Sequence, residues 1–205
     1  MCKQTFPWKR IVLATKNKGK IREFSRMFEE FDVEILTIAD IPDMPDVVED
    51  GKTFEANARK KAETILGFTG FPALADDSGL EVDALGGQPG VYSARFAGPN
   101  ATDDENNEKL TGMLRDVAKE ERQARFVSVL ALAIPDGQTL LAKGTCEGII
   151  VLDAKGERGF GYDPHFFLPD KQQTMAELSP EEKNRISHRG VALRKLEGLL
   201  KERFL

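Results

Sequence analysis

The chain predicts an α/β fold built on a mixed sheet with helices on both faces. Three observations carry that prediction. Short apolar runs at residues 11–15 and 71–75 alternate with segments of helical spacing, as strands and helices do when they interleave. Residues 126–134 are apolar at almost every position, the pattern of a central strand covered on both sides. Asp136-Gly137 follows as a strong turn signal, so a strand over residues 139–141 returns as a hairpin and the sheet is not wholly parallel.

Taken in order, the run at 11–15 reads as a buried strand, followed at once by Lys16-Asn17-Lys18-Gly19-Lys20. Ile21, Phe24, Met27, Phe28 and Phe31 recur at threes and fours, which predicts a helix over 21–31. Proline-rich residues 41–48 form a connection. A second helix over 53–66 places Phe54, Ala58, Ala62, Ile65 and Leu66 on one face. The strand at 71–75 ends at Asp76-Asp77-Ser78-Gly79, and a glycine-rich segment covers 85–98. Thr102 and Glu105 have the spacing of a capping box, and Leu110, Met113, Leu114 and Val117 continue an amphipathic helix from it. Ser179-Pro180-Glu181-Glu182 sets an N-cap, a first-turn proline and a carboxylate in order. The last helix then directs Leu193, Leu196, Leu199 and Leu200 to the core, with Ser187-His188-Arg189-Gly190 inside it.

A length of 205 residues suits one large domain or two lobes sharing a core. Residues 1–10 are read as an N-terminal extension and residues 11–205 as a single domain. Cys2 and Cys146 are too few for a disulfide framework, which favours a reducing cytoplasm. The opening ten residues lack the apolar region of a signal peptide, and no run approaches the roughly 18 apolar residues of a membrane span. Net charge is −5, from 29 basic and 34 acidic residues, which argues against a nucleic-acid coat. A small anionic ligand held by a few lysines fits that balance.

Four segments have the residue types for chemistry. Residues 14–20 lie between a strand and a helix, whose N-terminal N–H groups and dipole suit a phosphate. The G-x-x-x-x-G-K-[ST] spacing of a Walker A loop is missing, and a solvated basic turn fits the segment equally well. Asp76 and Asp77 point to opposite faces if the strand continues, so one can meet a hard cation while the other anchors a turn. Glu49 and Asp50 are near enough in sequence to the second helix to supply a further ligand. Gly159-Phe160-Gly161-Tyr162-Asp163 flanks an aromatic ring with glycines, a platform for a base or an ordinary loop plugging the core. Lys183, Ser187 and Gly190 share a helical face at i, i+4 and i+7. Neither His165 nor His188 has a metal-ligand partner by spacing, and no G-x-S-x-G elbow is present, so hydrolysis by metal-activated water fits best.

The strings ATKNKGK, LADDSGLEVDALGGQPGVYSARFAG, GFGYDPHFF and ELSPEEKNRISHRG, in this order, strongly resemble the inosine triphosphate pyrophosphatase family. The likeness runs from about Ile11 to near the C-terminus. It implies a twisted mixed sheet in two lobes with a central substrate cleft, and a homodimer. It implies hydrolysis of non-standard purine nucleoside triphosphates (ITP, dITP, XTP) to the monophosphate and pyrophosphate, with Mg²⁺ as cofactor. By the same resemblance Thr15, Asn17 and Lys20, with Lys16, Lys18 and Gly19 between them, handle the triphosphate. Asp77 is the proton acceptor and a magnesium ligand, Glu49 a second acidic group near the metal, and Ser78 a substrate contact. Lys61 faces the phosphates, while Phe160, Gly161, Tyr162, Asp163, Lys183, His188 and Arg189 hold base and sugar. The alternatives are a pyrophosphatase of different base preference and a non-catalytic nucleotide sensor.

Overall fold

In chain order the elements are β1 (Arg10–Leu13), α1 (Lys18–Phe28), β2 (Glu34–Thr37), α2 (Phe54–Thr69), β3 (Ala73–Val82), α3 (Asp103–Met113), β4 (Gln123–Ala133), β5 (Thr139–Ile150), β6 (Phe166–Leu168), β7 (Gln173–Thr174), α4 (Pro180–Ile186) and α5 (His188–Phe204). They come from a computed structural model that describes residues 6–29, 31, 33–135 and 137–204. Seven strands form one sheet in the order β2-β1-β3-β4-β5-β6-β7. β1 runs parallel to β2, with Arg10 opposite Glu34 and Leu13 opposite Thr37, and parallel to β3, with Val12 opposite Ala73. Parallel neighbours need a crossover, and α1 and α2 supply it. β5 and β6 pair antiparallel, as do β6 and β7, so the sheet is mixed as predicted.

The chain divides into two compact units. The first takes the described residues of Met1–Asp77, Val129–Lys143 and Ala192–Leu205. Its core gathers Ile11, Leu13, Phe24, Phe28, Leu74, Leu130, Leu132, Leu196 and Leu200. Phe6 belongs to it as well, with its ring 5.1 Å from that of Trp8, 5.9 Å from Phe28 and Phe31, and 5.6 Å from Phe204. The second unit takes Ser78–Ser128 and Gly144–Val191 and packs Leu80, Val82, Leu110, Leu114, Phe126, Ile150 and Phe166 around Tyr162.

Several helix ends follow from local chemistry. Thr53 caps α2 by accepting from the Ala56 N–H, and Gly70 ends it in the left-handed region at φ 71°. The capping boxes of Thr102 with Glu105 and Ser179 with Glu182 are both formed.

Four expectations need correction. The strand at 71–75 does not stop at the aspartates, because β3 continues through Asp76-Asp77-Ser78-Gly79 to Val82. Both carboxylates are buried and partnered, which removes the reason for a polar cluster to end a strand. α1 ends at Phe28, so Phe31 reaches the first core from beyond the helix. α3 stops at Met113, which is 44% exposed, and Val117 packs on the second core from beyond the helix. The last helix is two helices, because Ser187 adopts extended backbone (φ −64°, ψ 153°) and its hydroxyl accepts from the Gly190 N–H. That break dissolves the single face proposed for Lys183, Ser187 and Gly190. The hairpin is present, with β5 far longer than residues 139–141; Asp136 lies outside the described residues, and the Gly137 N–H closes the turn on the Ile134 carbonyl.

Candidate active site

The first unit assembles the acid and lysine groups. Thr15, two residues beyond β1, is buried, and its hydroxyl accepts from the Asn17 N–H at 3.1 Å. Asn17 is the N-cap of α1, and its Oδ1 accepts from the N–H groups of Gly19 (2.8 Å) and Lys20 (3.1 Å). Those two donors, expected from the sequence to await a phosphate, are therefore taken by the cap. A Cβ on Gly19 would stand 3.1 Å from Asn17 Oδ1, so glycine there makes room for the cap. Lys16 is exposed, and the side chain of Lys18 lies outside what is described. Lys20 reaches across to β3, where its Nζ donates to Asp76 Oδ2 at 2.7 Å.

The second β3 aspartate has other company. Asp77 is 7% exposed, and Asn57 of α2 donates to its Oδ2 at 3.0 Å. Burial pushes its carboxyl up to about 6; the nearby charges of Glu49 and Asp76 act in the same direction, against the Asn57 hydrogen bond and Lys61. Lys61, one turn beyond Asn57 on α2, pairs with Glu49 and donates to the Asp76 carbonyl oxygen at 3.0 Å. Thr15, Lys16, Glu49 and Lys61 all line a cavity of about 680 Å³.

This donor set fits a hard divalent cation. Among the described residues no three His, Cys, Asp or Glu side chains gather into a metal cage. Magnesium does not need one, since it is usually held by one or two carboxylates plus substrate phosphates and retained waters. Glu49 and Asp77 offer two oxygen ligands; the Asp77 carboxyl is raised chiefly by burial and further by the Glu49 charge, and a cation would offset both.

The second unit assembles an aromatic and cationic group. Phe160 is 56% exposed. Lys183 Nζ lies 4.8 Å from its ring centroid and the Arg189 guanidinium carbon 5.9 Å, both within cation–π range. The buried Asp163 accepts from the Phe160 N–H at 2.9 Å and pairs with Lys183. Gly159, at φ 86°, must lack a side chain, because a Cβ would run into the Asp163 carboxylate. The Gly161 peptide is gripped from α3: its N–H donates to Asp103 Oδ2 at 2.7 Å, and its carbonyl accepts from Asn107 Nδ2 at 2.9 Å. The Tyr162 hydroxyl donates to the Ser93 carbonyl at 2.7 Å, and burial raises its phenol well above the usual range. His188 is buried with its ring stacked on Phe126, centroids 4.9 Å apart at 18°. Ser78 is half-buried at the start of this unit.

The sequence-predicted residues thus fall into two groups, one around Lys20, Glu49, Lys61 and Asp77, the other around Phe160, Asp163, Lys183 and Arg189. Asn57, Asp76 as the partner of Lys20, Asp103 and Asn107 were missed. A signal for Asn57 existed. Positions 54, 57, 58, 61, 62 and 65 form one helical stripe, and only Asn57 and Lys61 interrupt its apolar character.

The chain is 51% identical over 199 residues to the dITP/XTP pyrophosphatase of Bacillus anthracis, covering 96% of this chain and 98% of that one. It is 53% identical over 189 residues to the dITP/XTP pyrophosphatase of Geobacillus kaustophilus (strain HTA426), covering 92% and 93%. Among solved structures it is similar to the Staphylococcus aureus Ham1 protein, with TM-score 0.89 and 44% identity over 95% of this chain and 99% of that one. It is equally similar to a HAM1 protein from Coxiella burnetii, with TM-score 0.90 and 42% identity over 95% and 100%. The Ham1 family model matches residues 11–199, and the chain belongs to the Ham1 family.

Proposed function

We propose that this protein hydrolyses non-standard purine nucleoside triphosphates (ITP, dITP and XTP) to the monophosphate and pyrophosphate, with magnesium as its metal. The observation that carries this is the buried Asp77 beside Glu49, with Lys20 and Lys61 fixed around them, in a chain half identical to dITP/XTP pyrophosphatases.

Magnesium, when bound, would supply neutralisation of the triphosphate charge. Asp77 and Glu49 would hold it through oxygen. Asp77 would also orient a water and accept its proton. Lys20 and Lys61 offset the charge that develops on the departing pyrophosphate. Their ion pairs with Asp76 and Glu49 hold both ammonium groups in place beforehand.

In the second unit Phe160 is the exposed ring against which a purine stacks. Selectivity falls to the edge of the base. Hypoxanthine and xanthine present an oxygen acceptor at position 6 where adenine presents an amino donor. Arg189, beside the Phe160 ring, His188, stacked on Phe126, or a nearby backbone N–H would donate there, and a donor facing the adenine amino group discriminates against ATP. Family membership extends the proposal to a cytoplasmic homodimer.

The products decide the reaction class. Incubation with ITP, followed by phosphorus NMR, is expected to give inosine monophosphate and pyrophosphate in equal amounts. Inosine diphosphate with orthophosphate would assign a different bond cleavage and remove the proposed role of Lys20 and Lys61.

A further inference from the structure

Asn57 occupies an unusual place. α2 buries Phe54, Asn57, Ala58, Ala62 and Ile65, and Asn57 is only 1% exposed among them. A primary amide in such a stripe is costly unless both its ends are bonded. Both are. Nδ2 donates to Asp77 Oδ2 at 3.0 Å, and Oδ1 accepts from the Gly51 N–H at 2.7 Å. Because one partner only accepts and the other only donates, the amide has a single workable orientation.

Its second partner belongs to the segment that carries Glu49. Residues 41–53 contain neither helix nor strand. α2 holds three consecutive residues of the segment. Lys61 takes Glu49, Lys60 takes Asp50 at 2.6 Å, and Asn57 takes Gly51. The Asn57 side chain also bonds Asp77. Gly51 allows this approach because it has no side chain. A Cβ there would lie 2.5 Å from Asn57 Oδ1 and 3.0 Å from the Ala56 Cβ.

We propose that Asn57 is a positioning residue: its amide holds the Asp77 carboxylate in one orientation and locks it in register with Glu49 through Gly51, so that the two carboxylates meet a divalent cation as one preset pair. Asn57 has this role only if Asp77 and Glu49 are the metal carboxylates, as proposed above.

Two variants attack the link from opposite ends. Asn57→Leu keeps volume and helix but removes both hydrogen bonds. Gly51→Ala leaves Asn57 itself intact and displaces it through the added Cβ. The primary readout is Mn²⁺ binding to the substrate-free full-length protein, followed by electron paramagnetic resonance. A second readout is the magnesium concentration for half-maximal ITP turnover. Asn57→Leu is expected to weaken Mn²⁺ binding roughly 10–100-fold, the range found for groups that orient metal ligands. Gly51→Ala should move it the same way, and the KM for ITP at saturating metal should change little in either.

Wild-type Mn²⁺ affinity in both variants, with only a lowered melting temperature, would overturn the proposal and leave Asn57 a packing residue. A wild-type protein that binds no Mn²⁺ would also overturn it. Should the wild type bind Mn²⁺ but turn over no triphosphate, while both variants lose the ion, the functional reading fails and the role of Asn57 stands.

Discussion

Asp77 is the residue on which the chemistry turns, and its environment works against its charge. Its carboxyl titrates near 6 in the folded protein against an ordinary value of 3.8, chiefly through burial. A carboxyl raised on folding keeps its proton longer than in the unfolded chain, so native stability falls as pH rises from about 4 through about 6. Asp77→Asn removes that cost. Without metal, the variant is expected to be more stable than wild type at pH 8 by on the order of 1–3 kcal/mol, and the gain should vanish at pH 3.5. Thermal melts at the two pH values check this. In the same variant turnover of ITP should be nearly abolished with folding intact; activity close to wild type would take Asp77 out of the mechanism. The apparent affinity for magnesium should likewise weaken as pH drops through about 6, because proton and cation compete for one carboxylate. At the other group, Arg189→Ala should lower the ratio of kcat/KM for ITP over ATP more than it lowers phosphate binding. An unchanged ratio would remove Arg189 from base selection.

Elements show where the sequence was legible and where it was not. Caps were readable because they are local: Thr102 with Glu105 and Ser179 with Glu182 satisfy each other within one turn. The break at Ser187 was not, since a serine inside a helical pattern reveals its capping role only through its backbone angles. β3 was cut short because Asp76-Asp77-Ser78-Gly79 looks like a turn. The partners that make those carboxylates tolerable, Lys20 and Asn57, come from 56 and 20 residues away. The hold of α3 on the Phe160 loop was equally invisible, being a contact across 54 residues from Asn107 to the Gly161 carbonyl. That hold is testable. Asn107→Asp keeps the shape but replaces the donor with a charge facing a carbonyl. An unsatisfied buried acceptor costs about 1–3 kcal/mol, so the KM for ITP is expected to rise roughly tenfold with kcat little changed. Unaltered KM would show that the loop holds its position without α3.

On the scale of the molecule, each unit has its own core and its own half of the candidate chemistry. Acids and lysines lie in one, and the aromatic and cationic group lies in the other. The mixed sheet was legible because a hairpin signal and two interleaved helices leave few other arrangements. The use of residues 6–10 was not, since aromatic residues without periodicity give no direction. Phe6 turns out to be wedged among Trp8, Phe28, Phe31 and Phe204, joining both ends of the chain to the first core. Phe6→Ala should therefore cost about 3–5 kcal/mol in denaturant unfolding while leaving ITP kinetics unchanged.

The most direct measurement is pyrophosphate release from ITP, XTP, ATP, GTP and dUTP, each with magnesium and with chelator. Magnesium-dependent release from ITP and XTP, far above the other three, is the expected result. Folded protein that releases nothing from any of them would contradict catalysis and leave a nucleotide-binding protein that only senses its ligand; a preference for dUTP would leave the chemistry and overturn the substrate.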